Sequence, residues 1–177
     1  MNVPCSYHEF VIPVSRDRVF KAVVIDGHNL LPKLLSNVIK SVKLTKGDGG
    51  PGTISRTIFK SGREDVYRVD VIDPENYVLK ATLIEGSIWM KERKVESLVY
   101  EVRYIASGPN KCIIQIATEF HPKEDSSFWS ITNGKVYSAI SCTAQSVVEF
   151  KCLFSEGLYC KLIQALGIAM KRQRERK

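Results

Sequence analysis

Residues 96–120 read ESLVYEVRYIASGPNKCIIQIATEF. Glu101 and Arg103 belong in water, so Leu98, Tyr100, Val102 and Tyr104 turn to the opposite side of an extended chain. Gln115 and Glu119 sort Ile114, Ile116, Thr118 and Phe120 in the same way. The two runs are joined through Gly108-Pro109-Asn110, whose residue types suit a tight connection, so the stretch predicts two antiparallel strands sharing one apolar face. Such a face must be covered by another layer.

The same period of two runs upstream. Arg56 faces out, which turns Ser55, Thr57 and Phe59 inward; Arg68 and Asp70 do the same for Tyr67, Val69 and Val71, and Lys80 for Tyr77, Leu79, Ala81 and Leu83. Short turns around Gly62, Asp73-Pro74-Glu75-Asn76 and Glu85-Gly86 link these strands into a meander. In VIKSVKLT, residues 38–45, polar and apolar positions separate only in part. Residues 5–13, CSYHEFVIP, form a first strand that ends at Pro13. Ser15 then caps a short helix over Arg16 to Val24, and Pro32 allows a second helical piece around Leu30–Leu35. Past Lys123, residues Phe128, Ile131, Val136, Ala139, Ile140, Thr143, Val147 and Phe150 fall at helical intervals and predict a long amphipathic helix. Gly134 inside it would cost about 1 kcal/mol, so either the helix starts at Thr132 or Asn133, or a glycine is wanted there. The class is α+β, a curved antiparallel sheet with helices on one side.

A chain of 177 residues with 44% apolar and 25% charged residues suits one globular domain, residues 1–154, followed by a basic extension, 155–177. In that extension Leu158, Leu162, Leu166 and Ala169 are spaced as one helix face; it could dock on the domain, touch an anionic membrane or serve as a basic address, against the plainer reading of a frayed helix with a solvated charged end. Residues 151–177 carry a net +5, which leaves +2 of the total +7 for residues 1–150. A nearly neutral body with a basic end argues against a nucleic-acid-binding domain. Five cysteines without a CxxC, and His8, His28 and His121 scattered with no metal-ligand spacing, predict reduced thiols, no metal and no cofactor. No stretch is long and apolar enough to span a bilayer and the N-terminus lacks a secretory pattern, so a cytoplasmic or nuclear location is expected, and the chain is expected to be a monomer.

The loop Gly47-Asp48-Gly49-Gly50-Pro51-Gly52 suggests a phosphate cradle. It lacks the GK[ST] ending and runs into a strand, so a structural hairpin loop is the better reading.

Asp26-Gly27-His28-Asn29-Leu30-Leu31-Pro32-Lys33, followed by Lys46 to Ile54 with that glycine loop, resembles the Bet v 1 family of birch pollen allergen and class-ten pathogenesis-related proteins. Val69-Asp70, Ile72-Asp73, Asn76-Tyr77, Ile84-Glu85-Gly86 and Phe120-His121 extend the resemblance over roughly residues 5–150. It implies seven antiparallel strands, two short helices after the first, and a long C-terminal helix across the concave face, enclosing a hollow for apolar or amphipathic plant metabolites such as flavonoids, cytokinins or sterol-like molecules. The lining it implies comprises Val23, Leu31 and Ile39 near the short helices, then Thr57, Phe59, Tyr67, Leu79, Ala81 and Leu83. Leu98, Tyr100, Val102, Ile116 and Phe120 continue it on the sheet, with Val136, Ala139, Ile140 and Thr143 on the long helix. Taken singly, each reads as ordinary core.

The function expected from the resemblance is binding of a hydrophobic metabolite or hormone, associated with defence. A condensing enzyme like norcoclaurine synthase would need a lysine, a carboxylate and a tyrosine in the hollow, and the inner positions offer no lysine. For a ribonuclease, the groups proposed in relatives fall here on Ser55, Glu96, Val148 or Glu149, and Phe150, of which only Glu96 matches cleanly. A receptor inhibiting a protein phosphatase, of the abscisic acid type, is an analogy of fold alone, because the gate SGLPA and the latch HRL are absent.

Overall fold

The computed structural model describes residues 5–86, 90 and 95–123. Within them the chain runs β1 (Cys5–Ile12), α1 (Arg16–Phe20), a π-helical turn (Lys21–Ile25), α2 (Gly27–Leu34), β2 (Ile39–Lys46), β3 (Ile54–Phe59), β4 (Glu64–Asp73), β5 (Val78–Glu85), β6 (Val95–Ala106) and β7 (Cys112–Pro122). The strands form one curved antiparallel sheet in the order β1-β7-β6-β5-β4-β3-β2. Strands β2 to β7 are a meander, and β1 pairs with the last of them. The predicted long helix, with Val136, Ala139, Ile140 and Thr143, lies outside the described residues, as does the extension 155–177.

Cross-strand register turns the alternation into rows. Ser55, Tyr67, Leu83, Leu98 and Phe120 stand side by side on the inner face; the next row is Val69, Ala81, Tyr100 and Thr118, and the next Ile72, Leu79, Val102, Ile116 and His8. Ile72 is in that row because of a bulge. The β4–β5 register slips between Val69 and Val71, leaving Asp70 as the extra residue, so Val71 lies opposite Lys80 and Ile72 opposite Leu79. Val71 is therefore outward and 43% exposed, contrary to the strict alternation expected from Arg68 and Asp70. Two further slips, at Ile39/Ser41 and Leu44/Lys46, explain why VIKSVKLT separates poorly. Ile39 pairs with Phe59, Val42 with Thr57 and Leu44 with Ser55, a spacing of three and then two.

The short helices also depart from a simple reading. Ser15 sits at the N-cap of α1 with no side-chain cap bond, and the α-helix ends at Phe20 rather than Val24. The β-branched run Val23-Val24-Ile25 is poor at continuing an α-helix, and the chain widens into the π turn, closed by the Asp26 N–H donating to the Lys21 carbonyl at 2.9 Å. Helix α2 begins at the buried Gly27, three residues before Leu30. Phe20 then packs edge-on against Tyr77 and Tyr104, with ring centroids 5.3 and 5.4 Å away, and anchors a core with Ile12, Val14, Val19, Leu35, Ile39, Phe59, Cys112, Ile114 and Ile116. A second, smaller cluster gathers Leu83, Val95, Leu98 and Phe120.

Candidate functional site

The sequence-predicted inner residues divide by how completely they are covered. Ile39, Thr57, Phe59, Leu83, Leu98, Val102, Ile116 and Phe120 are buried and belong to packing. Val23, Leu31, Tyr67, Leu79, Ala81 and Tyr100 also face inward but are only half-buried. Four of these, Tyr67, Leu79, Ala81 and Tyr100, lie on the central strands β4, β5 and β6, and Tyr100 packs against both core clusters. The Tyr67 and Tyr100 rings are 6.4 Å apart. The strip joins an aliphatic surface to two phenols, the chemistry of a site for an amphipathic molecule.

A charged group borders the strip. Asp65 lies opposite Thr57 on the inner face and is 3% exposed. Its Oδ2 accepts from the Tyr67 hydroxyl at 3.4 Å and is 3.3 Å from Arg63 Nη2. The Arg63 guanidinium lies 4.1 Å over the Phe59 ring. The sequence reading omitted this pair, although alternation counted back from Tyr67 places both residues on the inner side. Gly86 closes the arrangement: at φ +111° it approaches Asp65 so tightly that a Cβ would lie 2.5 Å from Asp65 Oδ1 and against the Glu64 carbonyl.

The glycine loop is a hairpin whose donors are already used. The Gly49 N–H donates to Thr53 Oγ1 (2.9 Å), that of Gly50 to Asp48 Oδ1 (3.2 Å) and that of Gly52 to the Val69 carbonyl (2.7 Å). These bonds tie Gly47–Gly52 to the start of β3 and to β4 and leave few N–H groups for an anion.

Residues 5–140 match the family described as "Pathogenesis-related protein Bet v 1 family". The chain belongs to that family. Among its relatives, Major allergen Mal d 1 of Malus domestica is 36% identical over 128 residues, 71% of this chain and 79% of that protein. Major allergen Pru av 1 of Prunus avium is 38% identical over 118 residues, 65% and 72% of the two chains. In structure, Ara h 8.0201 superposes with a TM-score of 0.65 at 23% identity, covering 93% of this chain and 99% of that one. Norcoclaurine synthase from Thalictrum flavum, in complex with dopamine and hydroxybenzaldehyde, gives 0.62 at 21% identity over 93% and 87%. At such identities these two likenesses establish the shared fold.

Of the groups considered for RNA cleavage in this Bet v 1 chain, Val148, Glu149 and Phe150 lie outside the described residues, and Ser55, Arg56 and Glu96 do not converge. Ser55 is on the inner face, whereas Arg56 pairs with Glu64 at 2.6 Å on the outer one, and Glu96 is exposed at a register slip of β6. The histidines are equally dispersed: His121 lies 3.6 Å from Glu119, His28 is 3.0 Å from the Asn29 amide, and burial pushes the His8 pKa below the ordinary imidazole range. Cys112 is buried, and burial raises its thiol pKa, which favours the unreactive form. No group of three metal-ligating side chains occurs among the described residues, and no described helix is long and apolar enough to cross a membrane.

Proposed function

We propose that this Bet v 1 protein is an intracellular binding protein for a small hydrophobic or amphipathic metabolite or hormone, held against the concave face of its sheet. One observation carries the reading: Tyr67, Leu79, Ala81 and Tyr100 face inward on central strands yet are only half-buried, while Leu83, Leu98, Phe120, Val102 and Ile116 in the same rows are closed into core. Apolar surface at the centre of a sheet is costly to leave wet, roughly 25 cal/mol per Å², and a bound apolar molecule removes that cost. Membership of a family of pathogenesis-related proteins supports a role in defence. The likeness to norcoclaurine synthase supports no condensing activity, since no described inward position carries a lysine.

The test is titration with N-phenyl-1-naphthylamine, an uncharged dye that brightens in apolar surroundings. Saturable binding is expected. Ala81→Trp should fill the strip and weaken binding about tenfold or more with the circular dichroism spectrum unchanged; equal affinity in the two proteins would remove the strip from the site.

A further inference from the structure

The interior reading leaves the polar character of the ligand open, and one cluster bears on it. Apart from His8, the inward side chains of the described rows are apolar or hydroxylated until the β3–β4 hairpin, where Arg63 and Asp65 stand beside Tyr67. An ion pair inside an apolar face is poor value for stability, because desolvating both charges offsets most of their attraction. The two members are also unequally satisfied. Asp65 is 3% exposed, accepts from the Tyr67 hydroxyl, lies 3.3 Å from Arg63 Nη2, and packs its other oxygen against Gly86.

Arg63 is the reverse. Its side chain is one-third exposed (33%), its contact with Asp65 is a single one at 3.3 Å, and its Nε has no acceptor although it is buried. A guanidinium carries five N–H donors in a rigid plane, and this one has its carbon 4.1 Å over the Phe59 ring. Arg63 thus holds donors that Asp65 does not take up. A ligand amine would find Asp65 occupied, whereas a carboxylate would meet a preset fork and complete the coordination of Arg63. From there the half-buried Tyr67 leads to Tyr100, Ala81 and Leu79.

We propose that Arg63 is the head-group anchor of this site, and that the ligand class is an amphipathic acid, with a carboxylate on Arg63 and an apolar body along Tyr67, Tyr100, Ala81 and Leu79. This rests on the interior binding reading above. Asp65 then acts as a positioning residue, keeping the guanidinium over Phe59 from the side that the ligand does not use.

The experiment uses the full chain with N-phenyl-1-naphthylamine as reporter and a matched pair of competitors, decanoate and decanol, which share a chain and differ in the charged head. In the wild type, raising NaCl from 0.05 to 0.5 M should weaken displacement by decanoate several-fold and leave decanol unchanged, since only the acid is held by charge. Arg63→Gln should weaken decanoate about tenfold and alter decanol less than twofold. Arg63→Lys, which keeps the charge next to Asp65 but loses the planar fork, should fall between, and it replaces the Gln variant should leaving Asp65 unpaired prevent folding. If the dye binds but salt and both variants move decanoate and decanol alike, the anchor is overturned while the interior site stands. Absence of saturable dye binding in the wild type would instead overturn the interior reading itself, and the anchor with it.

Discussion

The two ends of the inner face are built differently. Near α1, the Phe20 ring is gripped by Tyr77 and Tyr104, and Ile12, Cys112 and Ile114 around it are closed from solvent. Toward the β3–β4 hairpin, Tyr67 and Tyr100 are half-buried and an arginine and an aspartate share the surface. Both regions belong to one sheet and follow one alternation, so secondary structure does not distinguish them. The contrast separates residues that hold the fold from residues that the fold holds in place.

Truncation at each end should expose that division most strongly. Phe20→Ala removes a fully enclosed ring and is expected to cost about 3–5 kcal/mol in urea unfolding. Tyr100→Ala removes a ring that is already half wet, and the expected cost is about 1–2 kcal/mol. Equal losses would show that both ends are ordinary core and would undo the distinction.

The glycines sharpen the comparison at the next level. At Gly47, φ +84°, a Cβ would sit 2.5 Å from Thr53 Oγ1 and 2.8 Å from Thr53 Cα, so the backbone itself must shift; Gly49 is also left-handed, at φ +111°, but a Cβ there meets nothing within 4 Å. Gly47→Ala should cost about 2–3 kcal/mol and Gly49→Ala about 1 kcal/mol, the latter being conformational strain alone. Thermal melts of the two variants measure the difference. If they coincide, the close approach to Thr53 is not what fixes the loop.

Much of this was readable in advance, and the failures are physical. The strands, their turns and the inner positions from Thr57 to Phe120 follow from charges marking the wet side. Val71 defeated that rule because a bulge at Asp70 shifts parity by one residue, and bulges carry no fixed sequence mark. The break in the first helix goes with the β-branched run Val23-Val24-Ile25, a signal that capping logic does not contain. Arg63 and Asp65 were omitted for the opposite reason: parity puts them inside, but ionised residues are ordinarily assigned to solvent. Which inner residues are core and which are half-open depends on what covers the sheet, so Leu83 and Ala81, two residues apart on β5, looked alike in sequence.

His8 gives a pH test of the closed side. It ends the row Ile72–Leu79–Val102–Ile116, and burial lowers its pKa. The unfolded chain therefore takes up a proton at His8 at higher pH than the folded protein does, and stability must fall as pH drops below about 6.5 toward the folded pKa. The wild type should lose stability across this window, and His8→Gln should flatten that part of the profile. A profile unchanged by the substitution would mean that His8 is protonated in place without penalty.

The smallest effect is expected on the outer face, where ion pairs resemble Arg63–Asp65 on paper. Arg56 and Glu64 meet at 2.6 Å, closer than the inner pair, but with 40% and 44% of their side chains exposed, against 33% and 4% for Arg63 and Asp65. Water competes for both outer groups and salt screens them, so the short distance adds little. A double-mutant cycle of Arg56→Ala and Glu64→Ala should return a coupling of about 0.2–1 kcal/mol that shrinks in 0.5 M NaCl, with dye affinity unchanged in every member. Exposure rather than distance then decides which pair matters. A coupling above about 2 kcal/mol, or any change in dye binding, would mean that charge on the convex side reaches the inner face, and the separation of the two faces would have to be abandoned.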